Sequence, residues 1–368
     1  MICHYAPTLL SKFIHQEMNM SKQNLENLTV PEKFTAFRIH QVIDGDKKKI
    51  VSGFEQISLD DLTDGEVVIK VAYSDINYKD ALAGTGKGRI LRTYPLVGGI
   101  DLSGVVVDSS DSRFKTGEKV LVCGAQLSEL YDGGYSEFAR VKADSVVHLP
   151  NGMSLRDAMA LGTAGYTAAI AVQRMEDNGQ IPERGPIVVT GATGGVGSFA
   201  INMLSSLGYE VVAFTGKTEQ ADYLKALGAS RLLNRNDIDM GNKPLENSQW
   251  GGAVDNVGGE TLSWLTRTTN VWGNIASIGL AGGIKLDSTV MPFILRGVSL
   301  LGINSVEMPI SVRTNAWQRL ATDLKPSQLA LIAPTTIEFS QLPNAFDAYV
   351  EGNITGRTVV EIDASLDN

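Results

Sequence analysis

IVVTGATGGVG, residues 187–197, decides the fold of this chain. Its first four residues are of the strand-forming type, and they run directly into a glycine-rich turn. A segment of helical character, residues 198–207, follows the turn and ends at Gly208. A strand that enters a helix through such a turn leaves backbone N–H groups free at the positive end of the helix, where a dinucleotide pyrophosphate binds. The stretch therefore predicts a nucleotide site at Thr193, Gly194, Gly195 and Val196.

The glycine spacing departs from the usual G-x-G-x-x-G pattern, because Ala192 stands at its first position. Such a pattern is weak by itself, but its surroundings strengthen it. Residues 210–214 form a second predicted strand, and residues 218–227 form a second helix that Gly228 closes. This order of elements predicts a doubly wound parallel sheet, which we place at residues 154–297. An ordinary strand–helix turn without a ligand is the alternative.

The end of the second strand indicates which dinucleotide binds. Enzymes that use NAD usually place a carboxylate there to accept hydrogen bonds from the ribose hydroxyls. Here the strand is followed by Thr215, Gly216 and Lys217, and Arg235 follows the next predicted strand. A hydroxyl, a glycine and two cations suit a 2′-phosphate, so we predict NADPH rather than NADH. The alternative is that Lys217 and Arg235 are solvated surface charges.

Composition excludes several classes of function. The chain has 368 residues, which suggests two domains, and its formal net charge of −9 argues against nucleic acid as the main partner. Its two cysteines, Cys3 and Cys123, provide no disulfide framework. No secretory leader or membrane-length apolar run is present, so we expect a cytoplasmic protein that makes no membrane contact. A charge run at residues 47–49 is predicted to be a solvated turn between strands.

The rest of the chain has a different pattern from the predicted sheet domain. Short β-branched segments such as residues 67–71 and 104–107 are separated by turn signals, and they predict a β-rich domain built from residues 34–153 and 298–368. Residues 1–33 are polar and without clear periodicity. The sequence leaves open whether this N-terminal extension is disordered, is a partly ordered helix or reflects a wrongly assigned start.

Several motifs together resemble one superfamily. They are GIDLSG (99–104), GEKV (117–120), INYKDAL (76–82), GGYSE (133–137), LGTAGYTA (161–168) and MPFILRGV (291–298). With the glycine-rich turn, they resemble the medium-chain dehydrogenase/reductase superfamily, in its quinone-oxidoreductase-like branch, and most of all the NADPH-dependent acrylyl-CoA reductases. The resemblance covers residues 34–363. It implies an α/β fold in which a Rossmann domain is inserted into a GroES-like β-barrel catalytic domain, and it implies a homodimer.

The same resemblance bears on the question of a metal. Zinc-dependent members of the superfamily need cysteine and histidine ligands. Here residues 75–77 (DIN) and 99–101 (GID) stand where those ligands would be, and the four histidines are scattered. We therefore expect no metal. The predicted reaction is addition of hydride to an activated C=C bond, and the favoured substrate is acrylyl-CoA, which would give propanoyl-CoA.

Candidate catalytic residues lie in the segment 77–80. Tyr78 is expected at the junction of cofactor and substrate, where it orients the reacting pair and is a candidate proton donor. Its alternative is a buried tyrosine with structural hydrogen bonds, and water is an alternative proton source. Asn77 is expected to hold an amide or the loop itself, and Asp80 either takes part in catalysis or caps a helix. Asp101 is expected to tie loops together in the cleft.

The resemblance implies further contacts. The expected cofactor residues are Thr163, Thr167, Ile278, Gly279, Leu280, Ser305 and Asn353, with Asn304 beside Ser305 as a further candidate. Helix packing is the alternative for Thr163 and Thr167, and contact with the substrate thioester is the alternative for Ser305 and Asn304. Arg296 and Arg357 are candidates for the phosphates of coenzyme A, and pairing with a carboxylate is the alternative for either. Two other functions stay open: a quinone or 2-alkenal reductase, and an NADPH-binding protein without enzymatic activity.

Overall fold

The computed structural model describes residues 28–367, so the expectation for residues 1–33 lies mostly outside the described residues. The strands are β1 (Phe34–Asp44), β2 (Lys47–Ile57), β3 (Val67–Asp75), β4 (Leu96–Val97), β5 (Asp101–Ser109), β6 (Lys119–Cys123), β7 (Phe138–Val141), β8 (Val147–His148), β9 (Ile187–Thr190), β10 (Val211–Thr215), β11 (Arg231–Asn234), β12 (Trp250–Asp255), β13 (Thr269–Ser277), β14 (Ser299–Gly302), β15 (Thr335–Glu338) and β16 (Thr358–Glu361). The helices are α1 (Tyr78–Thr85), α2 (Leu155–Asp177), α3 (Gly195–Ser206), α4 (Ala221–Ala226), α5 (Gly259–Thr268), α6 (Met291–Arg296), α7 (Ile310–Ala321), α8 (Leu329–Ile332) and α9 (Leu342–Val350).

A six-stranded parallel sheet forms the centre of the second domain. Its strand order is β11-β10-β9-β12-β13-β14, so the chain first runs outward from β9 to one edge and then from β12 to the other. The order therefore reverses between β9 and β12, and the carboxyl ends of these two strands border the crevice in which such sheets bind their ligand.

The sheet also corrects the expected boundary at residue 297. Residues 299–302 pair in parallel with β13, because this short apolar segment continues the sheet instead of returning to the β-rich domain.

The β-rich part contains two sheets. One has the order β15-β16-β3-β5-β6-β8, with β7 also paired to β3, and the other has the order β2-β1-β4. Because β15 and β16 come from the end of the chain, the first sheet joins these last strands to β3. The predicted turn at residues 47–49 is wrong. Gly45, with a φ of 61°, makes the turn with Asp46, and the three exposed lysines begin β2 opposite residues 42–44.

Helix α2 connects the two parts. Ser154 caps it by accepting a hydrogen bond from the Asp157 N–H at 2.9 Å, as expected from the sequence. The helix packs against β3 and β5 on one side and against α3 on the other, in one continuous apolar core. It is interrupted at Gly162, whose φ of 49° and ψ of −158° lie outside the helical region. This interruption lies beside the site described below.

The described part of the chain contains no helix that is both long and apolar enough to cross a membrane.

Candidate active site

The glycine-rich turn forms the bottom of the crevice between β9 and β12. Gly191 follows β9 with a φ of 58°, and α3 begins at Gly195 with Gly194 as its N-cap. A side chain at Gly197 would collide with the Gly191 carbonyl, so glycine at this position lets the helix pack closely against the strand. The turn therefore leaves the start of α3 open to the crevice, which is the arrangement that a pyrophosphate requires.

Two strand ends are joined beneath this turn. The Thr190 hydroxyl donates to Asp255 Oδ1 at 2.7 Å, and Asp255 Oδ2 accepts the Gly258 N–H at 2.8 Å. Burial is the largest cause of the raised pKa of Asp255, while these hydrogen bonds act in the opposite direction. The network keeps the carboxyl ends of β9 and β12 in fixed relative positions. No sequence pattern indicates it, because the two residues are far apart in the chain.

A depression of about 440 Å³ lies at the end of β10. Thr215, Gly216, Lys217 and Arg235 line it, as does Glu260. A side chain on Gly216 would lie 2.7 Å from Arg235 Nε, so the glycine makes room for the guanidinium. Arg235 is exposed, and no carboxylate of residues 28–367 forms an ion pair with it. A free guanidinium beside a hydroxyl suits the 2′-phosphate of NADPH.

Lys217 has a second role that the sequence did not indicate. Its ammonium donates to the Gly352 carbonyl at 2.5 Å and to the Ile354 carbonyl at 3.3 Å. These carbonyls belong to the loop that precedes β16 in the other domain. Lys217 therefore links the two domains across the crevice as well as lining the predicted phosphate site.

The main cleft is larger, about 670 Å³, and lies between the two domains. Its lining combines residues from the turn after β9, from α2, from the end of β14 and from the segment before β16: Asn77, Tyr78, Lys79, Ile100, Thr163, Ala164, Thr167, Gly191, Thr193, Gly194, Gly195, Val196, Lys217, Ile278, Ala281, Ile303, Asn304, Ser305, Val306, Tyr349, Gly352, Ile354, Gly356 and Arg357. Gly191, Thr193 and Lys217 line both this cleft and the depression at β10, so the two form one continuous groove.

Tyr78 begins α1 at the mouth of the cleft, and 52% of its surface is exposed. The alternative of a buried structural tyrosine is therefore wrong. No hydrogen bond or ion pair of the described chain involves its hydroxyl, so the phenol is available to a ligand. An aromatic ring with a free hydroxyl can both pack on a flat ring and donate a hydrogen bond.

Asn77 and Asp101 hold the wall behind Tyr78. The Asn77 amide donates to Asp75 Oδ1 at 2.7 Å and to Asp101 Oδ2 at 2.8 Å, while its oxygen accepts from Arg357 Nη1 at 2.9 Å. Asp101 also accepts from the N–H and the hydroxyl of Thr163. Both polar atoms of the Asn77 side chain thus form hydrogen bonds within the protein. Asn77 therefore holds its loop in place, which is one of the two roles expected for it.

Asp80 lies outside the cleft lining, and its candidate role in catalysis stays a prediction. Its two oxygens accept the backbone N–H groups of Asn77 and Ile100, both at 2.9 Å. Only 2% of the residue is exposed. Burial, followed by repulsion from Asp101, raises its pKa to about 7. Asp80 thus fixes the start of α1, as in the capping alternative.

The expected cofactor residues divide into two groups. Thr163, Thr167, Ile278 and Ser305 line the cleft, and the Thr167 hydroxyl donates to Ser305 Oγ at 2.9 Å. Three others do not contribute to the lining: Gly279, Leu280, which is 65% exposed, and Asn353, whose amide donates to Glu351. Each of the three is next to or near a lining residue in the sequence, and their contact with the cofactor stays a prediction.

Neither arginine expected to contact coenzyme A phosphate is available for that role. Arg357 is 3% exposed, and its Nη2 lies 2.6 Å from Asp75 Oδ2. The Arg296 guanidinium donates to three backbone carbonyls, among them those of Arg267 and Thr269 at the start of β13. Arg296 therefore lies toward the amino ends of the strands, away from the crevice. The sequence shows only that both residues are cations, since burial depends on distant segments.

The apolar part of the cleft was also missed. Ile303 and Val306 follow β14, and Ile354 and Tyr349 come from the segment around the end of α9. The only sequence signal is that Ile303 directly follows an apolar strand, where a parallel sheet places its ligand. These side chains make the cleft suitable for a flat ring and a short acyl group.

The residues near Asp75 do not form a good zinc site. No group of three histidine, cysteine, aspartate or glutamate side chains between residues 28 and 367 has a metal-binding arrangement. Asp75 is also already paired with the guanidinium of Arg357, which a divalent cation would have to displace. The expectation of no metal stays a prediction.

Comparisons with known proteins agree with this architecture. The family described as "Alcohol dehydrogenase GroES-like domain" matches residues 63–151, and the family described as "Zinc-binding dehydrogenase" matches residues 195–322. A curated relative, putative quinone oxidoreductase YhfP of Bacillus subtilis, is 50% identical over 83% of this chain and 93% of its own length. Acrylyl-CoA reductase AcuI of Ruegeria pomeroyi is 47% identical over 88% of this chain and 98% of its own length.

Solved structures extend the comparison to bound cofactors. The yhdH oxidoreductase of Salmonella enterica, solved in complex with NADP, has a TM-score of 0.85 and 44% identity, covering 89% of this chain and 99% of that one. YhfP itself, solved with NAD bound, has a TM-score of 0.86 and 47% identity over 90% of this chain and 100% of its own. Together with the sheet order, these matches confirm the predicted α/β fold with a GroES-like part and a Rossmann part.

Proposed function

This chain belongs to the medium-chain dehydrogenase/reductase superfamily, and we propose that it is an NADPH-dependent reductase of the activated C=C bond of acrylyl-CoA, forming propanoyl-CoA without a metal. The observation that carries the proposal is the position of Tyr78. Its free, half-exposed phenol lies in the same cleft as the glycine-rich turn at the start of α3. Relatives of this chain include an acrylyl-CoA reductase at 47% identity, over nearly the full length of that protein.

The groove provides for the two ends of the cofactor. The start of α3 is open to the pyrophosphate, and Arg235 with Thr215 is placed for the 2′-phosphate of the adenosine. Ile278 and Tyr78, which both line the main cleft, would hold the nicotinamide. When bound, NADPH supplies the hydride that is added to the β-carbon of the substrate.

The protein's own residues then have two tasks. As hydride reaches the β-carbon, negative charge develops on the thioester oxygen, and a hydrogen-bond donor must stabilise it. The Tyr78 hydroxyl and the Ser305 hydroxyl are the candidate donors. The Ser305 oxygen accepts a hydrogen bond from the Thr167 hydroxyl, which leaves the hydrogen of Ser305 available to a ligand. A proton must also reach the α-carbon, and we assign Tyr78, directly or through water, to that step.

The test is a comparison of substrates with the purified protein. Oxidation of NADPH is followed in the presence of acrylyl-CoA, free acrolein and a quinone. The proposal requires fast oxidation with the thioester and slow oxidation with the other two compounds. Tight NADPH binding without oxidation of any substrate would contradict it and would support a binding protein without enzymatic activity.

A second candidate is a quinone or 2-alkenal reductase. One observation favours it, since the relative YhfP, at 50% identity, is described as a putative quinone oxidoreductase. The same experiment separates the two, because faster oxidation with the quinone or with acrolein than with acrylyl-CoA would support this candidate.

A homodimer is part of the proposal. Strand β14 is the edge of the parallel sheet, and large apolar side chains near it are exposed: Trp272 by 66%, Ile294 by 72% and Leu295 by 59%. Pairing two β14 edges would cover them. Analytical ultracentrifugation tests this point, since Ile294→Asp with Leu295→Asp should convert a dimer into a monomer.

We further propose the cytoplasm as the compartment, which agrees with the buried, free Cys123.

A further inference from the structure

We propose that Arg89 and Arg92, beside Lys79, bind the phosphates of the coenzyme A part of the substrate. The inference rests on the proposed function and deepens it. The three cations line a depression of about 540 Å³ together with Ile90, Leu91 and Glu129. Lys79 lines this depression and also the main cleft, so the two meet at the start of α1.

The loop that carries the two arginines is firmly held. Leu91, between them, is 2% exposed and belongs to the apolar core of the first domain. The Arg92 N–H donates to the Glu129 carbonyl at 2.8 Å, and the Gly88 N–H donates to the Leu82 carbonyl at 3.2 Å. The backbone is thus fixed while both guanidinium groups are exposed. A site whose backbone is already ordered loses little entropy when a ligand binds.

The charges around this depression favour an anion. The chain as a whole has a net charge of −9, yet this depression is lined by three cations and a single carboxylate. The carboxylate, Glu129, is paired with the Lys79 ammonium. Neither Arg89 nor Arg92 takes part in an ion pair with another of the residues 28–367, so their charges stay available. Arginine forks match phosphate oxygens in a bidentate manner.

The position also fits the direction in which the substrate must enter. NADPH would occupy the groove from Arg235 to Tyr78, so the coenzyme A arm has to leave the cleft on another side. Lys79 follows Tyr78 directly and faces the depression. The two arginines first considered for this role, Arg296 and Arg357, are bonded inside the protein. Arg89 and Arg92 remain as cations next to the cleft without a partner in the described chain.

Binding of free coenzyme A to the NADP⁺ complex of the full-length protein tests the site directly. Titration calorimetry should show that Arg89→Ala with Arg92→Ala weakens binding by about tenfold to 100-fold, as expected for the loss of charged hydrogen bonds. The charge-matched control is Lys115→Ala with Lys225→Ala, which removes two exposed lysines elsewhere and should leave the affinity unchanged. Equal affinities for the two double variants would overturn the inference.

Kinetics with a shortened substrate separate the subsite from the proposed function. Acrylyl-pantetheine has the same thioester but lacks the nucleotide phosphates. The arginine double variant should raise KM for acrylyl-CoA by about tenfold or more and leave KM for acrylyl-pantetheine unchanged. An equal loss with both substrates would reject the subsite. If the wild type reduces neither thioester, the proposed function fails, and the coenzyme A titration still decides the subsite.

Discussion

Arg357 Nη2 lies 2.6 Å from Asp75 Oδ2, and both side chains are almost completely buried. Asp75 ends β3, and Arg357 precedes β16, which pairs with β3 in an antiparallel manner. The pair therefore joins strand β3 to β16, the last strand of the catalytic domain, directly behind the cleft. Burial raises the pKa of Asp75, and the guanidinium of Arg357 opposes that rise. Removing one partner would leave an uncompensated charge.

Substitution of Gly162 tests how closely the Asp75–Arg357 pair is packed. A side chain there would overlap Asp75 Oδ2 and lie 2.5 Å from Arg357 Nη2, in a backbone conformation that L-residues rarely adopt. We expect Gly162→Ala to lower the free energy of unfolding by more than about 3 kcal/mol. Gly152→Ala is the matched control, because Gly152 has a φ of 78° and a methyl group added there would meet no other atom within 4 Å. The control should lose about 1–2 kcal/mol in urea denaturation, and equal losses would contradict the prediction.

Only the local parts of this site can be predicted from the sequence. The strand, turn and helix at residues 187–206 follow one another in the chain, so their pattern is sufficient. The pairing of Asp75 with Arg357 joins segments from opposite ends of the sequence, and no periodicity records it. For the same reason the sequence left open whether Arg357 binds substrate or pairs with a carboxylate, and the structure pairs it with Asp75. Arg296 donates instead to backbone carbonyls. The domain predicted for strand β14 is wrong, because a four-residue segment with only two leucines shows no preference between two domains.

Arg235 tests the choice of cofactor. Arg235→Ala should raise KM for NADPH by about tenfold to 100-fold and change KM for NADH little, because only NADPH has the 2′-phosphate. Arg235 is a cleaner test than Lys217, whose ammonium also bonds Gly352 and Ile354 across the crevice. Arg231→Ala is the control, since Arg231 is exposed and does not line the groove. Parallel changes for the two cofactors would contradict the assignment.

Asp80 makes a contribution to stability that depends on pH. Its pKa is raised from 3.8 to about 7 in the folded state, so the folded protein holds this proton more tightly than the unfolded chain does. The contribution is therefore complete below pH 3.8 and is lost as the pH rises through about 7. The slope is at most about 1.4 kcal/mol per pH unit for one group.

Asp80→Asn should flatten this slope, because the neutral amide does not titrate. The variant is also expected to be less stable at every pH, since an amide cannot accept both backbone N–H groups with its two polar atoms. The comparison is therefore between the slopes of urea stability against pH and not between the absolute values. Equal slopes for wild type and variant would show that Asp80 does not carry the proton.

Tyr78→Phe tests the role assigned to the phenol. The ring is kept and the hydroxyl is lost, so kcat should fall by about tenfold to 100-fold while the affinity for NADPH stays the same. Tyr131→Phe is the control, because Tyr131 is a partly buried tyrosine outside the main cleft. An unchanged kcat in Tyr78→Phe would assign proton delivery to water.

The most direct measurement uses NADPH with deuterium at both C4 positions of the nicotinamide and acrylyl-CoA as substrate, and it locates the label in the product by mass spectrometry. The account predicts propanoyl-CoA with one deuterium on the β-carbon and a solvent proton on the α-carbon. Deuterium at any other carbon, or no consumption of NADPH with this thioester, would contradict it.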